Sequence, residues 1–181
     1  MEEDQGIWKK RLVKLEREIL LNKIRSKPGK HDLILVLDHL KRGFNIGKIF
    51  RSADVFSINQ IHIVGTREFN PYPAKGAIRR VPLKFFDTLK ESLSELKENG
   101  YETFVFDTNT EEHLDTANIS KKAAFVFGNE EFGPNLEGID SSEYRKIKIR
   151  HHGPTESLNV SVAASIACYE FSRRSLQAEQ N

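Results

Sequence analysis

Three short clusters hold the side chains of this sequence whose types and spacing could do chemistry. Asn45 and Arg51 stand six positions apart, an amide and a guanidinium able to hold a hydroxyl or an anion. Glu130 lies between Gly128 and Gly133 in "FGNEEFGPN", a carboxylate on a glycine-rich turn. Ser157 and Asn159 follow Gly153 in "HHGPTESLN" and add a hydroxyl and a second amide. Each cluster alone has an ordinary structural reading as well. Glycine-rich turns end strands in many folds, Ser157 could simply cap a helix, and Asn45 could cap the segment 45–56.

The elements that must position these groups alternate between strand and helix. Residues 3–26 predict an amphipathic helix with Trp8, Leu12, Leu15 and Ile19 on one face. "SKPGK" at 26–30 breaks it. "LILVLD" (33–38) is the continuous apolar run of a strand buried on both faces. A helix over 45–56, a strand at 61–65 and a long loop, "TREFNPYPAKGAIRR", follow. A helix over 87–100, capped by Asp87 and stopped by Gly100, precedes strands at 101–107, 123–128 and 144–150. A helix over 157–173 comes last. This order predicts an α/β fold with a mostly parallel sheet flanked by helices. Ligands of such sheets bind beyond the carboxyl ends of the strands, which singles out 39–47, 65–80, 107–115, 128–135 and 150–157.

Composition narrows the function classes. The 181 residues are 38% hydrophobic and 30% charged, as expected of a globular protein, and no apolar run approaches the ~20 residues of a membrane span. The N-terminal segment lacks the layout of a signal peptide, and the single cysteine, Cys168, excludes an intramolecular disulfide; a cytoplasmic protein is the simplest expectation. The net charge of +2 is uneven: residues 1–30 carry nine Lys/Arg against five Asp/Glu. A basic first segment suits an anionic partner such as RNA, and equally an ordinary solvated helix face. The sequence has no G-x-G-x-x-G, no G-x-x-x-x-G-K-[ST] and no G-x-S-x-G, which speaks against dehydrogenase, nucleotide-triphosphatase and esterase readings.

Together and in this order, the clusters resemble the three motifs of the SpoU (TrmH-like) family of RNA ribose methyltransferases, in the SPOUT class. The first looks like "NIGKIFRSADVFSINQIHIVG", the second like "FVFGNEEFGPN" and the third like "IRHHGPTESLNVSVAASIACYE". The short "GAIRRVP" (76–82) is similar too, and the resemblance runs from about Leu33 to Glu170. It implies a SPOUT-type α/β sheet with a deep trefoil knot near the C-terminus, S-adenosylmethionine (SAM) as methyl donor, and a homodimer. The implied domain layout is a basic helix and linker (1–30), a methyltransferase domain (31–175) and a tail (176–181). The implied reaction is methyl transfer to a ribose 2′-hydroxyl of tRNA or rRNA. A catalytically inactive RNA-binding protein of the same fold is the alternative, opposed by the intact motif residues.

By the same resemblance, Arg51 lies closest to the chemistry, Asn45 holds the ribose or Arg51, and Glu130 is the second-motif acid. Ser157 and Asn159 orient the target nucleotide. Gly128, Ile149 and Leu158 match the three turns whose backbone holds the cofactor, with Thr108 a further candidate. Lys75, Arg79 and Arg80, with Tyr72 in the same loop, form an expected RNA-binding surface that Lys9, Lys10, Arg11 and Lys14 could extend. The sequence departs from the family pattern at Lys48, Ser57, Arg150 and His151. No metal is expected, because adjacent His151 and His152 point apart on an extended segment and lack ligand spacing.

Overall fold

The computed structural model describes residues 2–178, with side chains from residue 5 onward; the end of the expected tail, 179–181, lies outside the described residues, and 176–178 continue the last helix. The elements run α1 (Glu2–Arg25), β1 (His31–Asp38), α2 (Asn45–Val55), β2 (Ile58–Val64), β3 (Leu83–Phe86), α3 (Leu89–Glu98), β4 (Glu102–Phe106), β5 (Ala123–Phe127), β6 (Arg145–Ile147) and α4 (Val160–Ala178). All strand pairs are parallel, in the order β3-β2-β1-β5-β4-β6. The expected α/β architecture is the observed one.

Strand alternation divides the core in two. Leu33, Leu35 and Leu37 of β1 face α2 and α4, where Ile46, Ile49, Phe50, Ala53, Ala164, Ala167 and Phe171 meet them. Ile34 and Val36 face the other way, onto Leu89, Leu93 and Leu96 of α3. The central strand is therefore apolar at every position from 33 to 37, as a doubly covered parallel strand must be.

Four expectations are corrected. Helix α3 is capped by Thr88 rather than Asp87: the Thr88 hydroxyl accepts from Glu91 N at 3.2 Å, and the Glu91 carboxylate accepts from Thr88 N at 3.2 Å. The long loop after β2 holds two short 3₁₀ turns (72–74 and 77–79) and leads into β3, a four-residue edge strand too brief for its alternation to register. The last helix starts at Val160, not at 157, so Ser157 to Asn159 belong to the preceding loop. In α1 the inward face includes Glu18 and Asn22 beside Leu15, while Trp8 is only half-buried. Glu18 accepts both arms of Arg79 at 2.6 and 2.7 Å, and the Asn22 amide donates to Val81 O at 2.6 Å and to Ile78 O. Polar residues dock this helix against the 77–81 turn, which a search for apolar stripes does not find.

The departure at Ser57 has a local account. Ser57 has φ of 52°, in the left-handed region that favours glycine. Its hydroxyl compensates by accepting from Lys30 N at 2.8 Å, while its carbonyl accepts from His31 N at 3.0 Å. The pair fixes the entry into β1.

His62 of β2 is fully buried under Phe86 and is held by Ser92 Oγ at 2.9 Å and Gln60 Oε1 at 3.3 Å. Burial, with Lys84 nearby, pushes its pKa from about 6.5 down to about 3. Below about 6.5 the unfolded chain takes up a proton that the folded chain refuses, so stability falls as pH drops from there toward 3. Urea midpoints measured at pH 7 and pH 4.5 should fall substantially less for His62→Gln than for the native chain. Equal falls would remove His62 as the source.

Candidate active site

The carboxyl ends of β5, β4 and β6 open onto a cleft of about 840 Å³. Its walls are the end of β4 from Phe106 to Asn109, the loop after β5, and the segment from Lys148 to Ala163. Phe106, Phe127, Leu136 and Ile149 give it an apolar floor, and Asp107 a polar group. Burial pushes the Asp107 carboxyl up, but Lys146 at 2.8 Å and the Asn109 N–H outweigh it and hold the group below the ordinary carboxylate range.

The loop after β5 is fixed before any ligand arrives. Asp38, fully buried at the end of β1, accepts from Asn135 N at 2.6 Å and pairs with His39 Nδ1 at 2.6 Å. His39 adopts φ of 52°, and its carbonyl accepts from the Asn129 amide at 2.8 Å. Asn129 and Gly133 exchange both backbone hydrogen bonds, at 3.0 and 2.9 Å, closing the loop on itself. Gly128 admits no side chain: a Cβ there would lie 1.9 Å from Pro134 N.

Three of the predicted residues meet at the rim. Glu130 accepts from the Asn45 amide at 2.8 Å and from Lys41 N at 3.1 Å. A carboxylate can only accept here, so Asn45 turns its NH₂ toward Glu130 and its oxygen toward Asn159, whose amide donates at 3.2 Å. The Asn159 oxygen in turn accepts from Ser161 N at 3.0 Å and Ser161 Oγ at 2.6 Å, making Asn159 the cap of α4. The chain Asn159–Asn45–Glu130–Lys41 N thus joins the loops after β6, β1 and β5. The capping role once open to Ser157 belongs to Asn159. Asn45 is the first residue of α2, and Phe44 occupies the cap position without a side-chain bond.

The other predicted residues separate into groups. Thr108, Gly128, Ile149 and Leu158 all line the cleft, as do Glu130, Ser157 and Asn159. Arg51 is exposed on α2, outside that lining, and has no ion pair among the described residues. Lys75 is exposed. Arg79 is engaged by Glu18, and Arg80 by Asp54 at 2.6–3.1 Å. Lys14 of α1 lies over the Tyr72 ring at 3.7 Å, so α1 and the 72–80 segment form one surface. His151 reaches the cleft, whereas His152 does not. Among the described residues no cluster of three or more His, Cys, Asp or Glu could hold a metal.

Sequence reasoning passed over Asp38, His39, Asp107 and Phe132. Asp38 and Asp107 each occupy the position at the carboxyl end of a strand, and that rule of position was the available signal. His39 and Phe132 carry none.

A family model, the SpoU rRNA Methylase family, matches residues 32–169. A curated relative, the 23S rRNA (guanosine-2′-O-)-methyltransferase RlmB of Nitrosomonas europaea, is 30% identical over 171 residues, covering 92% of this chain and 65% of the relative. The chain spans less than two thirds of the length of such curated relatives. Among solved structures, a TrmH/SpoU tRNA modifying enzyme of A. aeolicus superposes with a TM-score of 0.73 at 27% identity, covering 96% of this chain and 86% of that one. A structure described as giving insight into 2-OH methylation of C/U34 on tRNA superposes with a TM-score of 0.67 at 27% identity, over 81% of this chain and 97% of that one.

Gly128→Ala should lower stability by about 2–3 kcal/mol, because the new methyl group meets backbone rather than a movable side chain. Chemical denaturation of the two proteins side by side measures the difference. A loss below ~0.5 kcal/mol would show that the loop after β5 is looser than its bonding indicates.

Proposed function

The chain belongs to the SpoU rRNA methylase family, and from that membership and the site's geometry we propose that it methylates a ribose 2′-hydroxyl of tRNA or rRNA, with SAM as donor. The observation that carries the reading is the hydrogen-bonded chain Asn159–Asn45–Glu130 at the rim of a cleft, with Arg51 exposed on the helix that begins with Asn45 and without an ion pair among the described residues. Bound SAM supplies an electrophilic methyl group on a sulfonium. The cleft fits such a group: apolar walls for a base and methylene carbons, with Gly128, Ile149 and Leu158 in its lining to offer backbone groups and the Asp107 carboxylate and Thr108 to take hydroxyls.

The chain's own residues then have separable tasks. Asn45 and Asn159, oriented by Glu130, present amide N–H groups that would hold the ribose for attack on the donor's methyl group. Ser157, free on the cleft wall, adds a hydroxyl contact to the nucleotide. Arg51 binds the RNA phosphate and the attacking oxygen. Its guanidinium, with a pKa above ~12, does not take the proton itself. With the methyl donor bound, Arg51 would hold the phosphate or water to which the hydroxyl proton leaves. Lys75, Arg79 and Arg80 complete an RNA-binding surface with α1. That surface adjoins Tyr72 and Lys14, and Lys75 is an exposed cation on it without an ion pair among the described residues.

A homodimer and a deep knot belong to the same reading. Val162, Ile166 and Tyr169 of α4 are exposed on one helix face, and Val55 of α2 is exposed as well. The two helices are locked together by the Ser52–Ser165 hydrogen bond at 2.7 Å, so they offer a rigid apolar face for a second copy. The knot is supported by the strand order: after β6 at the sheet edge, the chain must return across β4 and β5 for α4 to pack on α2. A cytoplasmic place of action goes with the RNA substrate. No helix among the described residues is long and apolar enough to cross a membrane.

Incubation with SAM carrying a labelled methyl group and total RNA should give label in alkali-resistant dinucleotides. Arg51→Ala should reduce transfer on the order of 100-fold or more while leaving the calorimetric affinity for SAM nearly unchanged. Full activity in that variant would sink the assignment of Arg51, and no labelled RNA from the native protein would sink the reading. In sedimentation, Ile166→Glu combined with Tyr169→Glu should convert a dimer to a monomer; a native protein that sediments as a monomer would remove the dimer.

A further inference from the structure

Two large aromatic rings stand in solvent on either side of the Asn45–Glu130 hydrogen bond. Phe132 is 86% exposed and Phe44 is 56% exposed, and neither stacks on another ring among the described residues. Phe44 directly precedes Asn45, and Phe132 follows Glu130 by two positions, so the 2.8 Å bond between those residues brings both rings to one rim. Phe132 also lines the cleft.

The backbone that carries the rings is held rather than loose. The Asn129 side-chain oxygen accepts from Glu131 N at 2.9 Å and Phe132 N at 3.3 Å, inside the loop already closed by Asn129 and Gly133. Phe44 sits at the start of α2 in helical conformation, and its carbonyl accepts from Lys48 N at 3.1 Å. A large aromatic ring left in water on a fixed backbone is a poor use of apolar surface unless something covers it.

The surroundings indicate what covers it. Residues 39–51 contain four Lys/Arg and no Asp or Glu. Lys41 is paired with Glu131 and Arg42 with Glu68, leaving Lys48 and Arg51, one turn apart on the exposed side of α2, without an ion pair among the described residues. Exposed aromatics interleaved with free cations are the composition that binds single-stranded nucleic acid: bases stack on rings while cations follow the phosphates. We propose that Phe44 and Phe132 are stacking platforms for bases of a single-stranded RNA segment, and that Lys48 contacts its backbone. This rests on the methyltransferase reading only for which hydroxyl the stacked bases present to the cleft.

The test is binding of a fluorescein-labelled single-stranded 12-mer oligoadenylate, followed by anisotropy across a salt series, with a 12-base-pair RNA duplex as comparison. Phe44→Ala and Phe132→Ala should each weaken single-strand binding roughly tenfold or more, without changing the slope of log Kd against log salt. Phe→Trp at either position should retain binding, and the duplex should respond less. Lys48→Ala should instead reduce the salt slope by about one contact. Single-strand affinity unchanged in both alanine variants, or no measurable binding by the native protein, overturns the proposal. Conversion of a dimer to a monomer by either alanine variant also overturns it, assigning the rings to a second copy. The two readings fail separately: ring-dependent binding without methyl transfer would sink the activity alone, and methyl transfer with ring-independent binding would sink this proposal alone.

Discussion

A single buried carboxylate sets the geometry of everything above the sheet. Asp38 ends the central strand, is closed off from water, and is satisfied by Asn135 N and the His39 ring. A charge in such a place persists only with its partners in place, since a buried carboxylate without hydrogen bonds is among the costliest groups a fold can hold. That requirement fixes Asn135 and His39, and through the His39 carbonyl it fixes Asn129. Asn129 closes the loop that carries Glu130 and Phe132. The position of the site's carboxylate therefore depends on an acid 92 positions earlier in the sequence that does not line the cleft.

From Glu130 outward the constraint passes through groups that leave no freedom of orientation. The carboxylate dictates which way the Asn45 amide turns, and Asn45 dictates Asn159. Asn159 is also the cap of α4, so orienting the site and starting the helix are one act. This explains why three loops from distant parts of the chain converge on one rim. Asn45 is the middle member, bonded to Glu130 on one side and Asn159 on the other.

How much of this could be read in the sequence depended on whether a residue's task was periodic, local or long-range. The apolar strand "LILVLD" and the helix over 45–56 declare themselves by spacing and were legible. The site residues were legible because they come as ordered motifs, and Asn45, Glu130 and Asn159 do come together. Glu18 and Asn22 were not, because a polar residue on the inner face of α1 breaks the stripe that marks burial; its partners, Arg79 and the 78–81 carbonyls, lie some sixty positions away. The start of α4 was misplaced for a related reason: Ser157 and Asn159 are both good caps, and only the contact with Asn45 decides between them.

Charge shows the same division between structure and function. The basic excess of the first thirty residues looks like an RNA-binding signal, yet charge in the sequence does not say which cations are already neutralised. In the fold, Arg79 and Arg80 are held by Glu18 and Asp54, Arg145 by Glu102 and Glu112, and Arg174 by Glu170. Those guanidiniums brace one element against another, and a phosphate would have to compete with a carboxylate already in place. Lys48 and Arg51 face no such competitor among the described residues. A polyanion meeting this surface gains most where the cations are unpaired, because counterion release there is not offset by a broken ion pair. Two such cations, Lys48 and Arg51, lie on α2, the helix that begins with Asn45, so in the proposed reading the charge that attracts RNA and the amide that orients ribose are carried by one element.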